Sequence, residues 1–92
     1  MLHFLYLYYI MDASINTFKD KIYNLTSTSN RTRSYFNIFQ SSYINQQLFC
    51  SVLCSWGIQE QFANMIFADI TEKCDVKYIS IQVLMHYVDT YC

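Results

Sequence analysis

Proline is absent from this 92-residue chain, and glycine occurs once, at Gly57. The excess of Ile, Asn, Tyr and Phe over Gly, Pro and Ala marks an AT-rich genome, which is a property of codons and not of fold. Charge is also scarce: Lys, Arg, Asp and Glu make up 14% of the residues, and the formal net charge is -1. Nucleic-acid binders usually carry a basic patch, and the chain has no such footprint. Phosphate cradles, nucleophile elbows and zinc-protease motifs are missing as well, because no GxGxxG, P-loop, GxSxG or HExxH occurs. The expectation is a protein that is not an enzyme and holds no cofactor or metal. His3 and His86 match no zinc-ligand spacing.

Residues 1–10 (MLHFLYLYYI) contain no lysine or arginine. The segment is far shorter than the roughly 20 residues of a membrane span. It also lacks the positive start and small-residue cleavage site of a signal peptide. It reads as a short strand or first helical turn packed on a core, or as residues preceding a start at Met11. With no signal, the sequons at Asn24 and Asn30 carry no glycosylation reading. Cys50, Cys54, Cys74 and Cys92 permit two disulfides by count. Cys50 and Cys54, however, lie one helical turn apart, where parallel Cβ directions rarely bridge. The cysteines read as reduced and buried, in a cytosolic protein.

What the chain does have is apolar bulk. Hydrophobic residues are 53% and aromatics 18%, enough to fill the core of one small domain. Asp12 or Ser14 suits the cap of a helix over 11–26, with Ile15, Phe18, Ile22 and Leu25 on one face. Residues 27–33 form a polar loop. From Ser34 to Gln59 no residue is charged, as in an interior or an interface. Helical spacing fits both halves of that stretch, with an interruption at Ser41-Ser42. Ser55 is placed to cap a helix over 56–71, with Gly57 near its start leaving room for another group to approach. After a tight connection at 72–75, a last helix points Val76, Ile79, Val83, Leu84, Tyr87 and Tyr91 inward. No internal repeat and no alternating strand pattern stands out. The fold reads as all-α, a small bundle of about four to five helices, with 34–92 as its helical core.

Phe49, Val52, Trp56, Phe62, Met65 and Phe67 are residue types that line grooves for amphipathic helices, and equally types that fill a core. Ser55-Trp56-Gly57, followed by a helix with Phe62 and Phe67 and then Cys74, resembles the BH1 segment of the Bcl-2 family, whose usual form is Asn-Trp-Gly-Arg. Leu48-Phe49 falls close to an apolar pair of that family's preceding helix. Residues 83–91 are similar to the helix that leads into BH2. Residues 69–75 and the run Leu84-Met85-His86-Tyr87 are similar to the poxvirus Bcl-2-like proteins. The resemblance covers roughly residues 45 to 92. Ile58 stands where the family has its BH1 arginine, leaving Gln59 or Gln61 to donate a neutral hydrogen bond. The chain stops before BH2, so the resemblance is to a truncated member.

The resemblance implies a viral inhibitor of host apoptosis that binds BH3 helices of pro-apoptotic proteins. The implied groove comprises Leu48, Phe49, Val52, Ser55, Trp56, Gly57, Ile58, Gln59, Phe62, Met65 and Phe67. The implied location is the host-cell cytoplasm, peripheral to mitochondria. Other readings remain open: a modulator of innate immune signalling that engages host proteins through its outer faces, a small helical homodimer associating through residues such as Phe49 and Tyr43, or a relic that does not fold alone.

Overall fold

The computed structural model describes residues 2–27 and 29–91, with side chains from Asp12 onward. Among them are five helices and one two-stranded sheet, so the all-α reading holds. Helix α1 runs Leu2–Thr26 with no proline or glycine to interrupt it. The expected break at residue 10 and the cap at Asp12 or Ser14 are therefore corrected: both residues lie inside one helix. At about 1.5 Å per residue its 25 residues reach about 37 Å, most of the molecule's 44 Å long dimension. Its buried stripe is Phe18, Ile22 and Thr26, whereas Leu25, expected inside, is 46% exposed. Thr26 tolerates burial because its hydroxyl donates to the Ile22 carbonyl at 2.6 Å.

The loop is shorter than 27–33. Asn30 accepts the Arg33 N–H on its Oδ1 at 3.1 Å, and this cap starts α2, Arg31–Phe39. Tyr35 and Phe39, four apart, face the core. The helix ends where Gln40 turns left-handed at φ 56° and its N–H returns to the Phe36 carbonyl at 2.6 Å. The interruption expected at Ser41-Ser42 is present, but Tyr43 and Ile44 then form a strand and not helix.

Strand β1 (Tyr43–Ile44) pairs antiparallel with β2 (Ile79–Ser80), Tyr43 opposite Ser80 and Ile44 opposite Ile79. Ile44 and Ile79 point into the core, while Tyr43 is 72% exposed, as strand alternation requires. Each strand leads straight into a helix. Asn45 Oδ1 accepts the Leu48 N–H at 2.7 Å and opens α3, Gln46–Ser55. Ser80 Oγ accepts the Val83 N–H at 3.2 Å and opens α5, Ile81–Tyr91. Between them α4 spans Glu60–Lys73, later than the expected 56–71. Its acid in the first turn and base in the last complement the helix dipole. It ends with Asp75 at φ 52°, the Asp75 N–H bonding the Glu72 carbonyl and the Val76 N–H the Thr71 carbonyl. That pair of bonds is the Schellman pattern.

The chain is therefore two helix–strand–helix units, α2–β1–α3 and α4–β2–α5, preceded by α1. Gln40 and Asp75, Ile44 and Ile79, Asn45 and Ser80, Phe49 and Leu84, and Leu53 and Val88 each stand 35 residues apart in matching roles. This duplication corrects the reading of no internal repeat. Of the last helix's expected inward residues, Ile79, Leu84 and Tyr87 are buried. Val76 and Val83 are half-buried, and Tyr91 is 46% exposed. Among the described residues no helix is long and apolar enough to cross a membrane.

Candidate functional site

The Ser55-Trp56-Gly57 turn is a helix end, not a helix start. Ser55 is the last residue of α3, and its hydroxyl donates back to the Val52 carbonyl. Trp56 caps that helix, and Gly57 follows at φ 86°. The Gly57 N–H donates to the Cys54 carbonyl at 3.0 Å and the Ile58 N–H to the Leu53 carbonyl at 3.1 Å, again the Schellman pattern. Ile58 and Leu53 are both buried, as the motif's accompanying apolar contact requires. A Cβ placed on Gly57 would meet nothing within 4 Å. The glycine is needed for its left-handed backbone and not to let another group come close. Helix α4 begins instead after Gln59, which makes no side-chain cap bond.

The residues proposed for a groove wall separate into three sets. Phe49, Ile58 and Phe62 are 0%, 4% and 2% exposed. They belong to the core, which corrects their assignment to a partner groove. The cause is geometric: each lies on the inward face of its helix or turn, where burial contributes about 1.5–3 kcal/mol per large apolar side chain. Leu48, Val52, Trp56 and Phe67 are partly buried against that core. Ser55, Gly57, Gln59 and Met65 are exposed, Met65 at 51%.

An aromatic cluster lies at the centre. The Phe49 ring is 5.8 Å from Phe18, 5.6 Å from Phe67 and 6.3 Å from Phe39, the last pair stacked. Phe18 of α1 also meets Trp56, at 6.5 Å between centroids. Beside this filled seat lies an open cleft of about 530 Å³ between the end of α1, α2 and α3. Val52, Ser55 and Trp56 line it, as expected of a groove wall, together with Leu25, Ser34, Asn37 and Ile38. No lining residue is charged. Sequence reasoning missed Leu25 and Ile38 as wall residues, since the helical period marks which residues turn inward and not which ones border an open cleft. Trp56 is shared between the seat and the cleft.

Elsewhere the polar groups are arranged for stability. A second cleft, lined by Gln46, Gln47, Cys50, Ser51, Cys54 and Glu60, holds two thiols with different surroundings. Cys50 is buried, and its thiol donates to Asn64 Oδ1 at 2.8 Å. The same oxygen accepts from Gln46 Nε2 at 2.9 Å. Burial, with Cys54 and Glu60 adding negative potential, pushes the Cys50 thiol up and keeps it protonated and unreactive. Cys54 is exposed and Cys74 half-buried, so the cysteines are not uniformly interior. All three are free thiols. His86 does not meet Cys50 or Cys54; it borders a separate cleft with Lys73, Cys74, Gln82 and Val83.

Paired helix–loop–helix units are the layout of calcium-binding loops, which surround the ion with side-chain and carbonyl oxygens. Here the connections 40–45 and 74–80 contain a single carboxylate, Asp75, too few acidic ligands for that chemistry. Among the described residues no trio of His, Cys, Asp and Glu is placed to hold a metal ion. At the junction of the two units, Arg31 forms a two-pronged ion pair with Asp89, at 2.8 and 3.2 Å. The Tyr35 hydroxyl is buried beneath it with no hydrogen-bond partner of good geometry among the described residues. Burial raises its pKa, and the neighbouring Arg31 opposes that shift.

Comparison with known proteins returns no relative: no family model, no curated protein and no solved structure matches the chain.

Proposed function

We propose that the chain is a non-enzymatic interaction module that captures an apolar helix of a partner protein in the cleft bordered by Trp56. The observation that carries this reading is the uncharged lining of that cleft, in which Leu25, Ile38, Val52 and Trp56 offer apolar surface from three helical segments. Helix-in-groove recognition uses such surfaces, and a half-buried tryptophan at the rim is the residue type that most often anchors them. The Bcl-2 resemblance names the occupant: the BH3 helix of a pro-apoptotic host protein, bound in the host cytoplasm to block its action. Ile58, at the place of the family's arginine, is in the core. Affinity would therefore come from apolar burial, without a charge-assisted bond to the BH3 aspartate.

Titration with BH3 peptides, followed by the fluorescence of the single tryptophan, tests this. Binding at about 1–10 µM, weakened at least about tenfold by Trp56→Ala, is the expected result. No binding at tens of micromolar overturns the apoptosis version and favours an innate-immune partner engaged elsewhere on the surface.

A second reading, self-association, is favoured by Tyr43 and Tyr78, which are 72% and 74% exposed beside the same short sheet. Light scattering would show a dimer that Tyr43→Asp dissociates. Phe49→Asp is no test of this, because Phe49 is in the core and the variant would unfold.

A further inference from the structure

The described side chains of helix α1 and those of the four helices after it contribute unequally to the interior. Among the described residues, two of the eighteen buried apolar side chains, Phe18 and Ile22, come from α1, and sixteen come from residues 35–88. The later elements are also tied to one another by polar contacts: the β1–β2 ladder, the Arg31–Asp89 pair, and the Tyr87 hydroxyl donating to Asp69 at 2.7 Å. Neither ion pair found among the described residues involves α1. Among its described side chains the helix is held by one stripe, Phe18 and Ile22 four residues apart with Thr26 four further on and Ile15 partly buried beside them, while Asp20, Lys21 and Asn24 remain exposed. An aromatic and an aliphatic anchor at i and i+4 is how an amphipathic ligand occupies a groove.

The seat itself fits that description. Phe18 lies against Phe49 and Trp56, and α1 packs across α2 and α4. A short polar connector, residues 27–30, joins it to the cap of α2. We infer that α1 is the resident ligand of the α2–α5 unit: the Phe49–Trp56 seat is a receptor for an amphipathic helix with a bulky aromatic and, four residues later, a branched aliphatic, and α1 fills it in cis. This shares the helix-in-groove mode of the proposed function, but it concerns the filled seat and not the open cleft, and it is tested without a foreign partner.

The test is a labelled peptide of residues 12–26 titrated against the full-length chain and against its Phe18→Ala variant. If α1 is a resident ligand, the variant's own helix competes poorly, and the peptide binds the variant at least about tenfold more tightly than the unaltered chain. A peptide carrying the same Phe18→Ala change should lose at least about tenfold affinity for the variant. Equal binding of the two peptides, or no binding at about 100 µM to a variant that still melts cooperatively, overturns the inference. Should the variant fail to fold, hydrogen exchange on the unaltered chain decides. Amides of residues 15–26 exchanging at least about tenfold faster than those of 49–53 and 62–66 support a separately opening helix, and equal protection refutes it. Failure of BH3 peptides to bind would leave these outcomes unchanged.

Discussion

The two helix–strand–helix units follow one backbone plan and put different side chains on it. In each, a left-handed residue ends the first helix, a two-residue strand with one buried isoleucine follows (Tyr43–Ile44 or Ile79–Ser80), and a short polar side chain caps the second helix. The first unit carries Phe49 at the position where the second carries Leu84, and around Phe49 gather Phe18, Phe39 and Phe67. The second unit is closed by polar clasps. Asp69 accepts from Tyr87 and pairs with Lys73 at 3.2 Å, and Lys73 lies 4.9 Å over the Tyr91 ring. Local capping and turn chemistry are enough to repeat a backbone. The difference between an aromatic cluster and a set of polar clasps comes from which residues the repeat carries.

The strongest way to break the comparison is to remove its two matched core residues. Both are fully buried, and Phe49→Ala is expected to cost about 3–5 kcal/mol and Leu84→Ala about 2–5. Phe49 should exceed Leu84, because its ring has three aromatic neighbours whose contacts add to area burial. Urea unfolding measures both, and equal costs would mean that the aromatic cluster adds nothing beyond area. The caps come next. Asn45→Ala and Ser80→Ala should each cost about 1 kcal/mol, with Asn45 the larger because its bond is 2.7 Å against 3.2 Å. A reversed order would show that the second unit depends more heavily on its cap.

The left-handed helix ends sharpen the comparison further. Gln40 and Asp75 take a positive φ that side chains other than Asn and Asp tolerate poorly. Gln40→Gly should raise stability by about 0.5–1 kcal/mol, and Asp75→Gly by less. Gly57→Ala, at φ 86°, should lower it by about 1 kcal/mol through backbone strain alone. Thermal melts resolve all three signs, and a neutral Gly57→Ala would refute the backbone account of that glycine.

Which of this the sequence disclosed depended on the length over which each signal repeats. Helices were legible from the apolar period, and the break near Ser41 from its composition. Their boundaries were not. The run Ser55-Trp56-Gly57 reads as a capped start, whereas a glycine just after a helix more often marks its stop. Two-residue strands are too short to show alternation, so Tyr43–Ile44 and Ile79–Ser80, and the shared backbone plan they mark, have no signal in the sequence. Of the residues expected at a groove, Val52, Ser55 and Trp56 border the open cleft. Phe49, Ile58 and Phe62 were misassigned because an apolar face looks the same whether it meets its own core or a partner. Leu25 reads as core from its spacing, and nothing in the pattern places Ile38 beside the cleft, because a residue at the margin of a helix's inward stripe has no periodic signature of its own.

The smallest expected effect concerns the ion pair that joins the units without a symmetric counterpart. Arg31 donates both prongs to Asp89 and holds its carboxyl below the ordinary carboxylate range, with His86 adding to the shift. The same pairing raises the Arg31 pKa further, so the guanidinium stays charged. A folded-state carboxyl with a depressed pKa contributes stability fully above the unfolded value of about 3.9, and loses it as pH falls through the folded value. Side-chain exposures of 38% and 50% leave the pair open to solvent and salt, which limits its worth to less than about 1 kcal/mol. Stability measured from pH 7 down to about pH 2 should therefore fall more for the unaltered chain than for Asp89→Asn. The gap between the two should close below the folded pKa and shrink in about 0.5 M salt. A gap that persists under acid would mean that Asp89 acts through packing and not through its charge.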